Sequence, residues 1–80
     1  MRGGLKVLSG DQVVGILAGF GFVAVGGKKH IKLRRRGPNG DQTLIVPNHR
    51  TILKGTLRDI YSQASAYISQ AELHPHFYND

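Results

Sequence analysis

The sequence lacks cysteine altogether, has only five acidic residues, and contains no long apolar run. Without cysteine, a chain of 80 residues forms no disulfide bond and no zinc site built on thiolates, which is consistent with a reducing compartment. No segment approaches the roughly 20 apolar residues of a membrane-spanning helix, and the N-terminal "MRGGLKV" has no signal-peptide core. We therefore expect one small domain over residues 1–80, in the cytoplasm and away from membranes.

Positive charge dominates the composition and is concentrated in one segment. Eleven lysine and arginine residues outnumber the five acids, which gives a formal net charge of +6. Residues 28–36 contain no acid, and their six basic residues are Lys28, Lys29, Lys32, Arg34, Arg35 and Arg36. Such a patch suits a polyanion such as RNA or DNA, although an anionic membrane surface or an acidic protein would also satisfy it.

The first element is predicted to be a helix of about ten residues with an apolar stripe at helical spacing. Ser9 and Gln12 have the spacing of a capping box, and Asp11 lies in the first turn, where the helix dipole favours an anion. The stripe consists of Val13, Ile16, Leu17 and Phe20. Gly19 and Gly21 follow as natural helix stops.

Three short strands are predicted over residues 22–25, 30–35 and 43–47. The turns between them are short, which indicates an antiparallel meander. Polar and apolar residues alternate over 30–35, so we expect this strand to have one buried and one solvent-exposed face. The solvent-exposed face carries His30, Lys32 and Arg34, and the buried face carries Ile31 and Leu33.

A second helix is predicted over residues 54–64, where Thr56 and Asp59 repeat the capping-box spacing. Its apolar stripe consists of Leu57, Ile60, Tyr61 and Ala64. A third cap over residues 69–72 predicts a short final helix that ends before Pro75.

These elements predict an α+β two-layer sandwich with a three-stranded antiparallel sheet and both amphipathic helices on one of its faces. The other face stays open and carries His30, Lys32 and Arg34. The αβββα order is that of double-stranded-RNA-binding domains, an analogy that concerns the fold and not the function. We expect the core to span about residues 9–64 and the tail over about 74–80 to be flexible.

The glycines of residues 19–27 match two nucleotide-binding motifs only superficially. Residues 19–24 fit G-x-G-x-x-[GA], but the dinucleotide motif follows a strand and opens a helix, which is the reverse of the predicted order. The segment "GFVAVGGKK" has neither the lysine nor the hydroxyl position of a phosphate-binding P-loop. The glycines are therefore interpreted as a helix stop and a tight turn.

His30 is the main catalytic candidate because it begins the basic strand directly after a Gly-Gly-Lys-Lys turn. Cleaving RNA without a metal requires a base for the 2′-hydroxyl proton, charge stabilisation for the pentavalent phosphate and an acid for the 5′-oxygen. Histidine exchanges protons near neutral pH, and lysine and arginine stabilise phosphorane charge. The alternative is an ordinary residue on a solvated basic face. The four histidines have no metal-site spacing, so no metal site is predicted.

Three segments resemble HicA-type toxins, also called YcfA-like mRNA interferases. "GGKKHIKLR" is similar to the family's G-S-x-H-φ-x-φ segment, in which φ is an apolar residue. "VPNHRTILKGTLRDIYSQA" over residues 46–64 resembles the stretch V-P-x-H…K-x-G-T-L-R-x-I…Q-A. Gly21 and Phe22 match the G-[FW] pair that ends the family's first helix. Together the segments cover roughly residues 9–64 in the family's order.

The resemblance implies the double-stranded-RNA-binding-domain-like fold, cleavage of mRNA without a known cofactor, and neutralisation by a HicB antitoxin. It places the family's functional histidine on His30 and the turn glycine on Gly27. Lys28 and Lys29 depart from the family pattern, which usually has serine at the first of these positions. The segment after Ala64 also lacks the family's G-I-S connection.

The candidate site consists of His30 as the catalytic residue and a set of RNA-binding residues. That set is Gly27, Lys28, Lys29, Lys32, Arg34, His49, Lys54 and Arg58. His49 matches the family's P-x-H histidine, and a structural or binding role is favoured over catalysis because the sequence does not place it relative to His30. Lys54 and Arg58 begin the second helix, where they either bind phosphate or form a solvated face.

Three functions are compatible with these observations. The first is a toxin that cleaves mRNA as a metal-independent endoribonuclease, with His30 as acid or base and a HicB-like antitoxin as its inhibitor. The second is a non-catalytic module that binds double-stranded RNA through shape and phosphate contacts. The third is a partner protein whose basic face docks an acidic surface. Salt-dependent RNA binding separates the first two from the third, and RNA products separate the first from the second.

Overall fold

The computed structural model describes residues 4–79 and contains three helices and one three-stranded sheet. The elements are α1 (Gly10–Gly19), β1 (Val23–Gly26), β2 (His30–Gly37), β3 (Gly40–Pro47), α2 (Lys54–Ala64) and α3 (Gln70–Phe77). The predicted α+β class and the predicted order of elements, including the short C-terminal helix, are confirmed. Within residues 4–79, no helix is both long enough and apolar enough to cross a membrane.

Helix α1 has the capping box that its sequence predicts. The Ser9 hydroxyl oxygen accepts a hydrogen bond from the Gln12 amide at 3.1 Å, and the Gln12 side chain accepts one from the Ser9 amide at 2.9 Å. Val13 and Leu17 are fully buried on the apolar stripe. The chain leaves the helix through Gly21, whose φ of +97° lies in the left-handed region that favours glycine.

The sheet is an antiparallel meander in the order β1-β2-β3, as predicted. The pairing of β2 and β3 continues to Gly37 and Gly40, so both strands are longer than predicted and only Pro38 and Asn39 remain for the turn. The covered face buries Leu33, Leu44 and Val46. The opposite face is open and carries the exposed residues His30, Lys32, Arg34 and Arg36.

Arg35 is part of the tertiary scaffold rather than the open basic face. Its guanidinium donates hydrogen bonds to the carbonyl oxygens of Phe20 and Tyr67 at 2.8 and 3.0 Å. Its Nε donates to the side-chain oxygen of Gln42 at 2.7 Å, and the guanidinium carbon lies 4.8 Å from the centre of the Phe22 ring. One half-buried arginine therefore joins the end of α1, β3 and the segment after α2.

Replacing this arginine should measurably destabilise the fold. We expect Arg35→Met to lower the free energy of unfolding by about 2–3 kcal/mol, because two carbonyl oxygens and one amide oxygen lose a charged donor. The matched control is Arg36→Met, whose side chain is 85 % exposed and pairs only with Asp41, so its loss should change stability little. Urea denaturation measures both, and equal effects would contradict this role for Arg35.

The predicted bounds of α2 are confirmed, but its predicted cap is wrong. Leu53 is the N-cap residue, and no side chain caps the helix. The first turn closes through the backbone alone, since the Leu57 amide donates to the Leu53 carbonyl at 2.8 Å. Thr56 and Asp59 consequently lie inside the helix, where their side chains are exposed and free to serve another purpose.

The C-terminal segment packs more closely than its composition indicates. The Ser69 cap is confirmed, since its hydroxyl oxygen accepts from the Glu72 amide at 3.2 Å. The predicted end before Pro75 is wrong because α3 continues through this proline to Phe77. Leu73 and Phe77 are four residues apart on one side of α3 and fully buried, which compensates for the hydrogen bond that proline removes.

The core extends beyond the expected limits of about residues 9–64. Leu5, Leu8, Ile68, Leu73 and Phe77 join the same buried cluster as α1, α2 and the sheet. The Lys6 amide donates to the Phe77 carbonyl at 2.8 Å, so the N-terminal segment is bound to the end of α3. Of the tail that was expected to be flexible, residues 74–77 are helical, and Asp80 lies outside the described residues.

Candidate functional site

A row of exposed basic residues runs along the open face of β2. His30, Lys32 and Arg34 are alternate residues of this strand, so they lie about 7 Å apart along the same face. Arg36 continues the row, and its Nε lies 3.2 Å from a carboxylate oxygen of Asp41. The row presents a line of positive charge that could follow the backbone of a polyanion.

Apolar side chains flank this row on both neighbouring strands. Val23 is opposite Arg34 and 63 % exposed, and Ile45 is opposite Lys32 and 42 % exposed. Charged and apolar groups thus alternate across the open face. Such a surface suits a ligand that combines anionic groups with flat apolar groups, as single-stranded nucleic acids do.

The turn before His30 depends on Gly27. Its φ is +100°, and a Cβ atom at this position would overlap the carbonyl oxygen of His30. Lys28 and Lys29 form the exposed tip of the same turn. The predicted tight turn is therefore present, and it brings two ammonium groups to the chain segment that precedes His30.

Asn48 joins this turn to the loop after β3. Its side-chain amide donates to the Lys28 carbonyl at 3.1 Å, and its backbone amide donates to the Lys29 carbonyl at 2.7 Å. The next residue is also held, because the His49 carbonyl accepts from the Gly10 amide at 2.8 Å. The two Asn48 bonds fix the His30 turn relative to the His49 loop, and the third bond fixes that loop to the start of α1.

A groove of about 340 Å³ is lined by the start of β2, the second half of β3, the loop after β3 and α2. The sheet and the following loop contribute His30, Ile45, Pro47 and His49 to its lining, and α2 contributes Thr56, Asp59, Ile60 and Gln63. The four α2 positions follow the spacing i, i+3, i+4, i+7, so they form one side of the helix. His30 and His49 therefore line the same concave space, together with apolar and polar residues of β3 and α2.

We call this space the histidine groove. Asp59 supplies its negative charge. It is the only carboxylate in the lining. Among residues 4–79 the single ion pair joins Arg36 to Asp41, so Asp59 forms none within the described chain. No group of three or more metal-ligating side chains occurs in the described residues.

A larger groove of about 430 Å³ lies beside the turn between β2 and β3. Arg35, Asp41 and Gln42 supply much of its polar lining. All three are engaged: Arg35 bonds to Gln42 and two carbonyls, and Asp41 pairs with Arg36. No histidine lines this space. The histidine groove is therefore the better candidate for chemistry, although it is the smaller of the two.

The structure brings most of the predicted site residues together and separates the others. Gly27, Lys28, Lys29, His30 and His49 meet where β2 begins and β3 ends, and Lys32 and Arg34 continue the row on the open face. Lys54 and Arg58 lie on the opposite side of α2 from the histidine groove, as the helical repeat requires. They are exposed but do not line the groove.

The two C-terminal histidines lie in α3, outside the histidine groove. The His76 ring meets the edge of Phe20 at 5.5 Å between centres, and the His74 ring stacks on Tyr78 at 4.5 Å. Both rings thus have packing partners. These aromatic contacts account for both histidines as packing residues of α3.

Asp59 and Gln63 are groove residues that sequence reasoning missed, and Arg36 is a missed member of the open face. The sequence predicts Asp59 to be part of a helix cap, which α2 does not use. The sequence signal for its place in the groove is the helical spacing of Asp59, Ile60 and Gln63, which puts all three on one side of α2. For Arg36 the signal was the alternation along β2, which continues beyond the predicted strand end.

Comparison with known proteins identifies the family. The family model that describes HicA toxins of bacterial toxin–antitoxin systems matches residues 10–66, well over half of the chain. The matched segment contains α1, the sheet, α2 and all residues of the histidine groove, and it excludes α3. No curated protein and no solved structure matches the chain. The likeness to double-stranded-RNA-binding domains therefore stays a prediction.

Proposed function

This chain belongs to the HicA toxin family, and on that premise we propose that it is an endoribonuclease that cleaves mRNA with His30 as the proton acceptor. The observation that carries the proposal is the position of His30. It is exposed, it lies on the basic open face, and it lines a groove large enough for part of a nucleotide chain.

The proposed reaction uses the 2′-hydroxyl of the RNA as the nucleophile. His30 removes the proton from this hydroxyl while its oxygen attacks the neighbouring phosphorus atom. Lys28 and Lys29 stabilise the additional negative charge on the phosphate oxygens. The bond to the 5′-oxygen then breaks, which leaves a 2′,3′-cyclic phosphate and a 5′-hydroxyl. The mechanism requires no metal ion or cofactor.

The open face positions the RNA for this reaction. We propose that Lys32 and Arg34 bind phosphates on one side of the cleaved bond, with Val23 and Ile45 beneath the neighbouring bases. Gly27 shapes the turn that presents Lys28 and Lys29 to the RNA, because the His30 carbonyl occupies the space where a side chain would begin. Lys54 and Arg58 face away from the histidine groove, so their contribution is limited to distant phosphates.

Membership of this family implies a cognate antitoxin. We propose a HicB-like protein that places acidic groups over the His30 row and so excludes RNA from the histidine groove. The strongly positive open face and the +6 net charge support an acidic partner surface. Inhibition by this route would compete directly with RNA binding.

The test is cleavage of an end-labelled single-stranded RNA by the purified chain in the presence of EDTA. We expect fragments with 2′,3′-cyclic phosphate and 5′-hydroxyl ends, because the 2′-oxygen is the nucleophile. A parallel purification from cells with an empty vector controls for contaminating nucleases. Fragments with 5′-phosphate ends would contradict the mechanism. Tight, salt-sensitive binding to duplex RNA without cleavage would favour the non-catalytic binding module instead.

A further inference from the structure

We propose that His49 is the second proton-transfer residue of the site, which donates a proton to the leaving 5′-oxygen. This inference rests on the proposed function. It concerns a step that His30 alone does not complete, because the reaction removes one proton from the 2′-hydroxyl and adds one to the 5′-oxygen. The two oxygens lie on opposite sides of the phosphorus during in-line attack, so one imidazole does not serve both in a single step.

The position of His49 carries the inference. His49 and His30 line the same groove, and His30 is the register partner of Pro47, two residues before His49. The sheet therefore places the first residue of β2 beside the last residue of β3. His49 lies two residues beyond that end, is exposed, and lines the groove.

Both imidazoles are mounted on backbone that is held in place. The His49 carbonyl accepts from the Gly10 amide at the start of α1, and Asn48 donates two hydrogen bonds to the turn that precedes His30. Gly10 has no room for a side chain, since a Cβ there would overlap the Pro47 carbonyl oxygen. This close packing keeps the loop against α1. Preorganised geometry of this kind is what paired acid–base catalysis requires.

The charges around the groove are consistent with the assignment. The lysines lie on the His30 side, at the β1–β2 turn and along β2. The single carboxylate, Asp59, belongs to α2, the helix that follows the His49 loop. A carboxylate facing the groove would repel phosphate, but it complements the positive charge that His49 carries before it donates its proton. His74 and His76 are excluded from this role by their position in α3.

The step balances without another reactant. The 2′-oxygen forms a bond to phosphorus, and its proton passes to His30. The bond from phosphorus to the 5′-oxygen breaks, and the proton of His49 passes to that oxygen. At the end His30 is protonated and His49 is neutral, and proton exchange with water restores both residues.

The test compares two versions of one RNA that contains the cleavage site. In one the leaving atom is the natural 5′-oxygen, and in the other it is a 5′-bridging sulfur, which leaves as a thiolate and needs no proton. We expect His49→Gln to slow single-turnover cleavage of the oxygen substrate by about 100- to 10,000-fold. The same variant should cleave the sulfur substrate within a few-fold of the unmodified protein. His30→Ala should be inactive on both.

His74→Gln is the matched control, because it removes an exposed histidine outside the groove and should cleave both substrates normally. A His49→Gln protein that cleaves the oxygen substrate normally would overturn the assignment, as would an equal defect on both substrates. If either result overturns the assignment of His49 while His30→Ala is inactive, the proposed function still stands. If neither substrate is cleaved by the unmodified protein, the proposed function itself fails, and the assignment fails with it.

Discussion

His30→Ala is expected to lower the single-turnover rate of RNA cleavage by about 100- to 10,000-fold, because it removes the proposed proton acceptor. The fold should be retained, since the His30 side chain is exposed and forms no hydrogen bond within the described residues. Only the backbone of this residue is used structurally, in its pairing with β3. Far-UV circular dichroism and urea denaturation check the fold, and quantified RNA fragments measure the rate.

RNA binding separates a loss of chemistry from a loss of affinity. We expect His30→Ala to bind an uncleavable RNA, with a 2′-deoxy nucleotide at the cleavage site, within a few-fold of the unmodified protein. Lys32→Ala is the matched comparison on the same face: it should weaken binding and reduce the salt dependence, with a smaller effect on the rate at saturation. A His30→Ala protein that is folded and fully active would show that another residue accepts the proton.

Gly27→Ala is expected to destabilise the protein by about 2–4 kcal/mol and to abolish cleavage. Two physical effects combine at this position. The φ of +100° is strained for any residue with a side chain, and the new Cβ would overlap the carbonyl oxygen of His30. The turn must therefore shift, and His30 shifts with it. Urea denaturation and the cleavage assay measure the two consequences.

Two other glycines serve as matched controls for this substitution. Gly26 precedes Gly27 directly, has no positive φ, and has open space where a Cβ would lie, so Gly26→Ala should change stability least. Gly40 has a φ of +122° but also open space, so Gly40→Ala should show the cost of the dihedral angle without the overlap. If Gly27→Ala is as stable and active as Gly26→Ala, the proposed constraint on the His30 turn is wrong.

The local features of the fold were predictable because they depend on residues close together in sequence. The capping box of α1 follows from Ser9 and Gln12, and the bounds of α2 follow from its apolar spacing. The alternation along β2 identified the open face and placed His30, Lys32 and Arg34 on it. The resemblance to HicA toxins also came from short motifs, and the family match over residues 10–66 confirms it.

The errors arose where contacts between distant residues override local preference. Thr56 and Asp59 have the spacing of a helix cap, yet the Leu53 carbonyl closes the first turn without them. Pro75 is a local signal for a helix end, yet burial of Phe77 against the rest of the core extends α3 past it. Local propensities are weak compared with the free energy of burying large apolar side chains.

The sequence by itself determined the elements, their order and the face on which His30 lies, because periodicity and capping operate within single elements. Only the tertiary structure decided which distant residues share a space. It places Arg35 between three segments through bonds to Phe20, Gln42 and Tyr67. It also brings His49 into the groove of His30, because Asn48 binds a turn that lies 20 residues earlier in the chain. Such contacts depend on strand register and packing, which no local pattern encodes.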